Sequence, residues 1–182
     1  MTQSHSHPLT RPRPMPGSLK ETLGTEQSLA TLAAIAALPL LGVALYGRTL
    51  VGGEVALWRQ IVAGLIALDI AAGAVANLTS GTNAYYAARP RARWVFIAIH
   101  LHLPLVALAL GWAMGPILAI WAYTLAATSV VVALGQRRVV GGGLFLGGLI
   151  ALPLAAMPAE AMALSALFLF KLVYSFGVDH DR

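Results

Sequence analysis

Long uninterrupted blocks of apolar residues constrain the fold of this chain more than any other feature. Each block is close to the roughly 20 residues that a helix needs to cross the hydrocarbon of a bilayer. A spanning helix also satisfies its own backbone hydrogen bonds where no water is present. The composition agrees, since 58% of the 182 residues are hydrophobic and 10% are charged. The sequence therefore predicts an integral membrane protein.

Six blocks of spanning length predict an all-α fold, a polytopic bundle of about six transmembrane helices. The predicted spans cover residues 28–47, 57–78, 94–112, 115–135, 139–157 and 160–178. We divide the last two blocks at Pro158, because a proline followed by the acidic Glu160 favours a helix start. An alternative with five spans and one long, broken final helix stays open. The transmembrane domain is predicted to cover residues 28–178, with a cytoplasmic tail at residues 179–182.

The basic residues predict which side of the membrane each loop occupies, because short loops rich in Lys and Arg remain in the cytoplasm. With the N-terminus inside, the inner loops hold Arg89, Arg91, Arg93, Arg137 and Arg138. We therefore expect both termini in the cytoplasm and a location in the cell membrane, taken to be the inner membrane of a bacterium. The pI of about 10.1 then reflects topology and contact with lipid headgroups, and no aromatic and basic face indicates a nucleic-acid partner.

The first 27 residues are rich in Pro, Ser, Thr and charge, which predicts a disordered cytoplasmic tail over residues 1–27. Two histidines in this tail, His5 and His7, are interpreted as solvated chain rather than metal ligands. The chain has no cysteine. Disulfides, thiolate catalysis and cysteine-ligated zinc or iron–sulfur centres are therefore excluded.

Three titratable residues fall at a similar predicted depth in the cytoplasmic half of the bilayer. Counted at about 1.5 Å per residue, His100 and Lys171 lie roughly 10 Å from the inner surface, and Asp69 lies a little deeper. A charged side chain there costs roughly 2.5–3.5 kcal/mol on the insertion scale, so it normally faces the bundle interior and finds a partner. We predict an intramembrane polar layer in which Asp69 and Lys171 pair or address a common ion or solute. Alternatively, Lys171 extends to the headgroups and Asp69 is protonated or bonded to a neighbouring helix.

Small and polar residues continue from this layer toward the cytoplasm. In the second span Asp69, Gly73, Ala76 and Ser80 recur at helical spacing along one face. Such a stripe fits either a solute path or close helix packing beside an interfacial tyrosine belt. The predicted supporting polar residues are Asn77, Ser80 and Tyr174.

The segment IAIHLHLPLVAL, residues 97–108, places two histidines in an otherwise apolar span. On a regular helix His100 and His102 point about 200° apart, so one site does not receive both. We therefore assign His100 to the polar layer and expect His102 to lie elsewhere. Pro104 removes the donor that would bond the carbonyl of His100, which predicts an interrupted helix near residue 100.

Two further patterns concern metal binding and helix association. His100, His180 and Asp179 are candidate metal ligands by residue type alone, since no strong spacing such as HExxH is present. No cofactor is assigned. Gly143 and Gly147 form a GxxxG pattern in the fifth span, which indicates a close helix contact, either inside the bundle or in a homo-oligomer.

Three classes of function fit this sequence. A transporter of a small solute or ion, with protons as a coupling ion, fits the intramembrane titratable residues. A membrane-embedded enzyme would use His100 as a base or metal ligand beside Asp69. A structural or assembly subunit would only pack. A water-accessible cavity that reaches Asp69 would favour transport. A closed pocket in which His100 and Asp69 converge on a metal would favour the enzyme, and a solid apolar core would favour the subunit. Of the three, we expect a transporter-like protein.

Overall fold

The computed structural model describes residues 8–50 and 55–181, and within residues 43–50 it describes the backbone alone. His5 and His7 therefore lie outside the described residues. The helices are α1 (Lys20–Leu23), α2 (Leu29–Leu50), α3 (Leu57–Ala76), α4 (Ser80–Ala87), α5 (Pro90–Ala98), α6 (His102–Leu110), α7 (Met114–Ala133), α8 (Arg138–Ala151) and α9 (Ala159–Leu169).

Within the described residues, five segments are long and apolar enough to cross a membrane. They are α3, Pro90–Leu110, α7, Arg138–Ala155 and Ala159–Phe176. These segments confirm the predicted all-α bundle of a multi-pass membrane protein. The first predicted span, residues 28–47, falls on α2, whose described apolar part is the shorter stretch Leu29–Gly42. The division at Pro158 is also found, because α9 begins directly after that proline with Glu160 in its first turn.

The last span forms the centre of the bundle. Helix α9 continues into a π-helical segment, Phe170–Phe176, which contacts α3, α7 and α8. Half of the residues in this span are buried, a larger share than in any other described span. Its fully buried side chains include those of Phe168, Leu169, Leu172 and Val173. The polar residues Ser165, Lys171 and Ser175 on this span are buried among the other helices.

The third predicted span is interrupted, as Pro104 indicated. Helix α5 ends at Ala98 and α6 begins at His102. Between them the amide of His100 bonds the carbonyl of Ile97 at 3.3 Å, and the next amide bonds the carbonyl of Ile99 at 2.8 Å, so the α-helical pattern is lost. The carbonyl of His100 instead accepts a hydrogen bond of 2.8 Å from Nε1 of Trp121 on α7. The expected interruption near residue 100 is therefore confirmed.

Residues 13–27 belong to the segment whose composition predicts a disordered tail, and the structure places short strands and a helix there. Strand β1 (Arg13–Pro14) pairs antiparallel with β2 (Glu26–Gln27), and α1 lies between them. This N-terminal hairpin packs on α4, where Gly24 and Gly81 bring the two backbones into direct contact. Backbone contacts and polar side chains connect this segment to α4.

The tyrosine Tyr86 anchors the hairpin to α4. Its hydroxyl donates to the carbonyl of Glu21 at 2.9 Å. Burial, together with the nearby Glu21 carboxylate, raises the pKa of Tyr86 above its ordinary value. The hydroxyl therefore stays protonated and remains a donor across the physiological pH range.

Candidate functional site

Lys171 lies on the π-helical segment at the centre of the bundle, and its side chain is 4% exposed. Its Nζ lies 2.8 Å from Oδ2 of Asp69 on α3 and 3.3 Å from the Asp69 carbonyl oxygen. The structure thus brings these two residues together across two spans. Lys171 does not extend toward the headgroups, so the alternative arrangement considered for it is not the one found. π-helical turns inside α-helices occur frequently at functional sites.

Gly73 provides the space that Lys171 occupies. A Cβ at this position, one turn beyond Asp69, would lie 2.8 Å from Nζ of Lys171 and 3.3 Å from its Cδ. The small-residue stripe of the second span therefore receives the lysine stem in this structure. A side chain at Gly73 would force the lysine away from α3, because such distances are below van der Waals contact.

Hydrogen bonds close the inner half of the bundle below the ion pair. Asn77 is buried, and its Nδ2 donates to the carbonyl of Lys171 at 3.4 Å. The hydroxyl of Ser175, also buried, donates to the carbonyl of Ala74 at 2.8 Å. These contacts tie α3 to the π-helical segment beside Asn77.

His102 contacts Asp69, although the sequence placed it elsewhere. Its Nε2 lies 3.3 Å from Oδ2 of Asp69, the same oxygen that Lys171 contacts. The expectation was wrong because it assumed a regular helix through both histidines. The interruption between α5 and α6 changes the direction in which His102 leaves the backbone. The sequence contained the information needed to avoid this error. Pro104 predicts an interrupted helix, and on an interrupted helix the separation of about 200° between the two histidines no longer applies.

His100 joins the cluster through His102 rather than by direct contact with the carboxylate. It is buried, and Nδ1 is hydrogen-bonded to the carbonyl of Phe96. Because a carbonyl only accepts, Nδ1 carries the proton in this arrangement. The ring centroid of His100 lies 4.9 Å from that of His102 and 4.2 Å from that of Phe96. Asp69, Lys171, His102 and His100 together are named the ionic cluster below.

The carboxylate of the ionic cluster is open on one side. The side chain of Asp69 is 46% exposed and that of His102 is 27% exposed. Asp69 lies on α3 and His102 on α6, which contact each other. A separate groove between the same helices is lined by Ile66, Leu105 and Arg59. The guanidinium of Arg59 donates to the carbonyl of Leu108 at 2.7 Å. The cluster is therefore buried at Lys171 and partly exposed at the surface of the bundle at Asp69.

The remaining predicted polar residues lie at the end of the bundle that holds the C-terminal residues. The hydroxyl of Ser80 donates to the carboxylate of Asp181 at 2.7 Å. The ring of Tyr174 packs 5.5 Å from that of His180, whose Nε2 lies 3.1 Å from the carbonyl of Ser175. Ser80 and Tyr174 therefore hold the C-terminal residues rather than the ionic cluster.

The candidate metal ligands do not assemble. In the described part of the chain, no group of three His, Asp or Glu side chains lies close enough to hold a metal ion. His100 is hydrogen-bonded within the membrane-spanning segment, whereas His180 and Asp179 follow the last span. The carbonyl oxygen of His180 accepts a hydrogen bond of 2.5 Å from Nη2 of Arg138, and that of Asp179 accepts one of 3.4 Å from Nε of the same residue.

The GxxxG residues lie on the outer face of α8. A Cβ at Gly143 would meet nothing within 4 Å, and one at Gly147 would meet the Tyr123 hydroxyl at 3.5 Å. Internal packing of this helix uses Gly148, where a Cβ would lie 3.0 Å from a methyl of Leu169. Gly143 and Gly147 are therefore exposed and take no part in close helix packing among the described residues.

Comparisons with protein-family models, with curated proteins and with solved structures found no match for this chain. The fold is that of a multi-pass helical membrane protein. Its function is therefore argued from the geometry of the ionic cluster.

Proposed function

We propose that this protein transports a small solute or ion across the membrane, with protons coupled through Asp69. The observation that carries the proposal is the exposure of Asp69, which is 46% at the side chain, beside a lysine that is 4% exposed. A carboxylate retained only for packing would be enclosed together with its partner. Ionisable residues inside spans mark ion and proton pathways, and they need both a counter-charge and access.

Protonation of Asp69 would change the contacts of the ionic cluster. As a carboxylate it attracts Lys171 Nζ at 2.8 Å and His102 Nε2 at 3.3 Å. A proton on the carboxylate would remove that attraction and leave the Lys171 ammonium buried without a counter-charge. Lys171 lies on the span around which the bundle packs, so its displacement would move α9 relative to α3. In this proposal the proton drives the conformational change.

The described state is closed toward the cytoplasm in this proposal. Asn77 and Ser175 bond across α3 and the π-helical segment below the cluster. Alternating access requires one side to be closed while the other is open. Release of Lys171 from Gly73 would open the inner half, because the lysine stem fills the space beside that glycine.

An assembly subunit is the second candidate function, and the closed inner half favours it. The buried Asn77 and Ser175 would then serve only to lock α3 against the last span. A proton-coupled transporter and a packing subunit differ in one measurable respect. The subunit conducts no protons when it is reconstituted alone, whereas the transporter proposed here conducts them through Asp69 even without added solute.

Proton flux into liposomes tests the proposal. The purified chain is reconstituted with an internal pH-sensitive dye, and a potassium gradient with valinomycin drives protons inward. We expect a flux about tenfold above empty liposomes, reduced to their level by Asp69→Asn because the proton-binding carboxylate is gone. Asp181→Asn is the matched control, since that exposed carboxylate bonds Ser80 outside the cluster. Unchanged flux in Asp69→Asn, or no flux in the wild type, rejects the transporter in favour of the subunit.

We also propose a homo-oligomer in the inner membrane of a bacterium, held through the face of α8 that carries Gly143 and Gly147. The exposure of both glycines supports it, since small residues let two helices approach closely. Gly143→Leu should reduce the oligomer measured by light scattering in detergent. Gly42→Leu, on α2 and also in open space, is the control. An unchanged mass in Gly143→Leu contradicts this interface.

A further inference from the structure

A separate cavity of about 370 Å³ lies between α2, α3 and α9, away from the opening at Asp69. Leu38 on α2, Gly64 and Leu68 on α3, and Leu164 and Leu167 on α9 contribute to its walls. Its volume is in the range of small-molecule sites, roughly 300–1,000 Å³, which are mostly apolar with few polar groups. The walls have the composition of a binding site for an apolar body.

Glu160 is the sole charged residue among the described residues that line this cavity. It is exposed in the first turn of α9, so its carboxylate lies at the outer end of that span in the predicted orientation. The indole of Trp112 also lines the cavity, and an aromatic face favours a cation. Apolar walls with one carboxylate and one indole complement a molecule that carries a single positive charge on an apolar body.

The cavity reaches the level of the ionic cluster. Its lining extends along α9 from Glu160 to Leu167, seven residues, or about 10 Å along the helix axis. Leu167 precedes Lys171 by one helical turn, and Leu68 is the neighbour of Asp69 on α3. A molecule bound in the cavity and in contact with Leu167 would therefore affect the helical turn that positions Lys171.

We propose that this cavity binds a monovalent organic cation with an apolar body, held by Glu160 and Trp112. This cation is the substrate class of the transporter, a statement that rests on the function proposed above. The binding itself does not rest on that function. A lipid chain or another neutral molecule would fit the walls but would make no use of the carboxylate.

A pair of isosteric probes separates the cation from a neutral occupant. Benzyltrimethylammonium carries a permanent charge, and neopentylbenzene has nearly the same shape without one. Binding of each to the full chain in dodecyl maltoside is measured by calorimetry against empty micelles. We expect the cation to bind more tightly, and Glu160→Gln to weaken it about tenfold while leaving the neutral probe unchanged. Asp181→Asn, at the cytoplasmic end, should change neither.

A cavity-filling variant tests the location. Gly64 has open space around it, so Gly64→Leu places a side chain in the cavity without a backbone clash. This variant should lose binding of the cation, and thermal melting verifies that it is folded. Leu164→Trp fills the same space from α9 and serves if Gly64→Leu does not fold. Equal cation affinity in Glu160→Gln, or equal affinity of the wild type for both probes, overturns the proposal.

The same preparations distinguish failure of the cavity from failure of the transport function. If Asp69→Asn keeps proton flux while cation binding depends on Glu160, transport is wrong and the cavity stands. If flux depends on Asp69 but binding is indifferent to Glu160, the cavity proposal is wrong and transport stands. The expected result is dependence of binding on Glu160 and of flux on Asp69.

Discussion

At the scale of single residues, two partners of unequal burial share one carboxylate. Lys171 is 4% exposed, His102 is 27% exposed, and Asp69 is 46% exposed. When the ion pair is broken, the two charges are therefore left in different surroundings. The buried ammonium then has no counter-charge nearby, whereas the partly exposed carboxylate keeps its contact with His102.

Asp69→Asn is therefore expected to destabilise the protein more than Lys171→Met. Leaving a buried charge without its partner costs about 3–5 kcal/mol, and the exposure of Asp69 places the lysine variant below that range. The double variant should recover part of the loss, since neither charge then remains. Thermal melting in detergent measures all three, with Asp181→Asn as the exposed control. Strictly additive losses would contradict an interaction between the two residues.

Gly73→Ala is expected to disturb Lys171, because a Cβ there would lie 2.8 Å from Nζ. Overpacking of this kind costs about 1–3 kcal/mol. Gly64→Ala on the same helix meets nothing within 4 Å, so it should be neutral or stabilise by up to about 1 kcal/mol. Detergent melting curves compare the two. In a Lys171→Ala background the cost at Gly73 should largely vanish, and a persistent cost would show that something other than the lysine is displaced.

At the scale of the secondary-structure element, the interruption between α5 and α6 determines the composition of the site. Pro104 cannot donate to the carbonyl of His100, and Trp121 supplies the missing hydrogen bond from α7. The interruption is thus stabilised by a neighbouring helix as well as by the proline. Its consequence is that His102, rather than His100, contacts Asp69.

Trp121→Phe should destabilise the protein by about 1–3 kcal/mol, because it leaves a carbonyl unpaired inside the bundle. Trp94→Phe, at a side chain that is 45% exposed, is the control and should have little effect. Pro104→Ala restores a helical donor for the same carbonyl. In the Pro104→Ala background, Trp121→Phe should lower the melting temperature by less than it does alone. An equal loss in both backgrounds would mean that the new amide at residue 104 does not replace Trp121 as donor to the carbonyl of His100.

At the scale of the whole molecule, most of the basic residues lie at one end of the bundle. The segments that contain the N-terminal hairpin, α4, Arg138 and the C-terminal residues contact one another at one end of the bundle. This end holds most of the Arg residues, which favours the cytoplasm. The loop between α6 and α7 lies at the opposite end.

Single cysteines test this orientation, since the natural chain has none. Ala88 follows α4 and Ala113 precedes α7, and both are exposed. Ala113→Cys should react with an impermeant maleimide on intact cells, because its loop is predicted to lie outside. Ala88→Cys should react only after permeabilisation. Labelling of both variants from the same side would contradict the topology.

The sequence by itself determined the membrane class and the five spans that the structure describes, whereas the depth of the charged residues stays a prediction. These properties follow from hydropathy and from the rise of a helix, and both are local to a segment. The start of α9 after Pro158 and the interruption near Pro104 were predictable for the same reason, because proline acts on its own turn of the helix. The candidates Asp69 and Lys171 came from depth alone.

Only the tertiary structure decided which side chains meet. The choice of His102 over His100 depended on the direction of the chain after the interruption, which residue spacing does not contain. The role of Gly73 depended on the path of Lys171 from another span, and the order of the N-terminal hairpin depended on its contact with α4. Such contacts join residues far apart in the chain, so they are set by how the helices pack and not by the local pattern of any one of them.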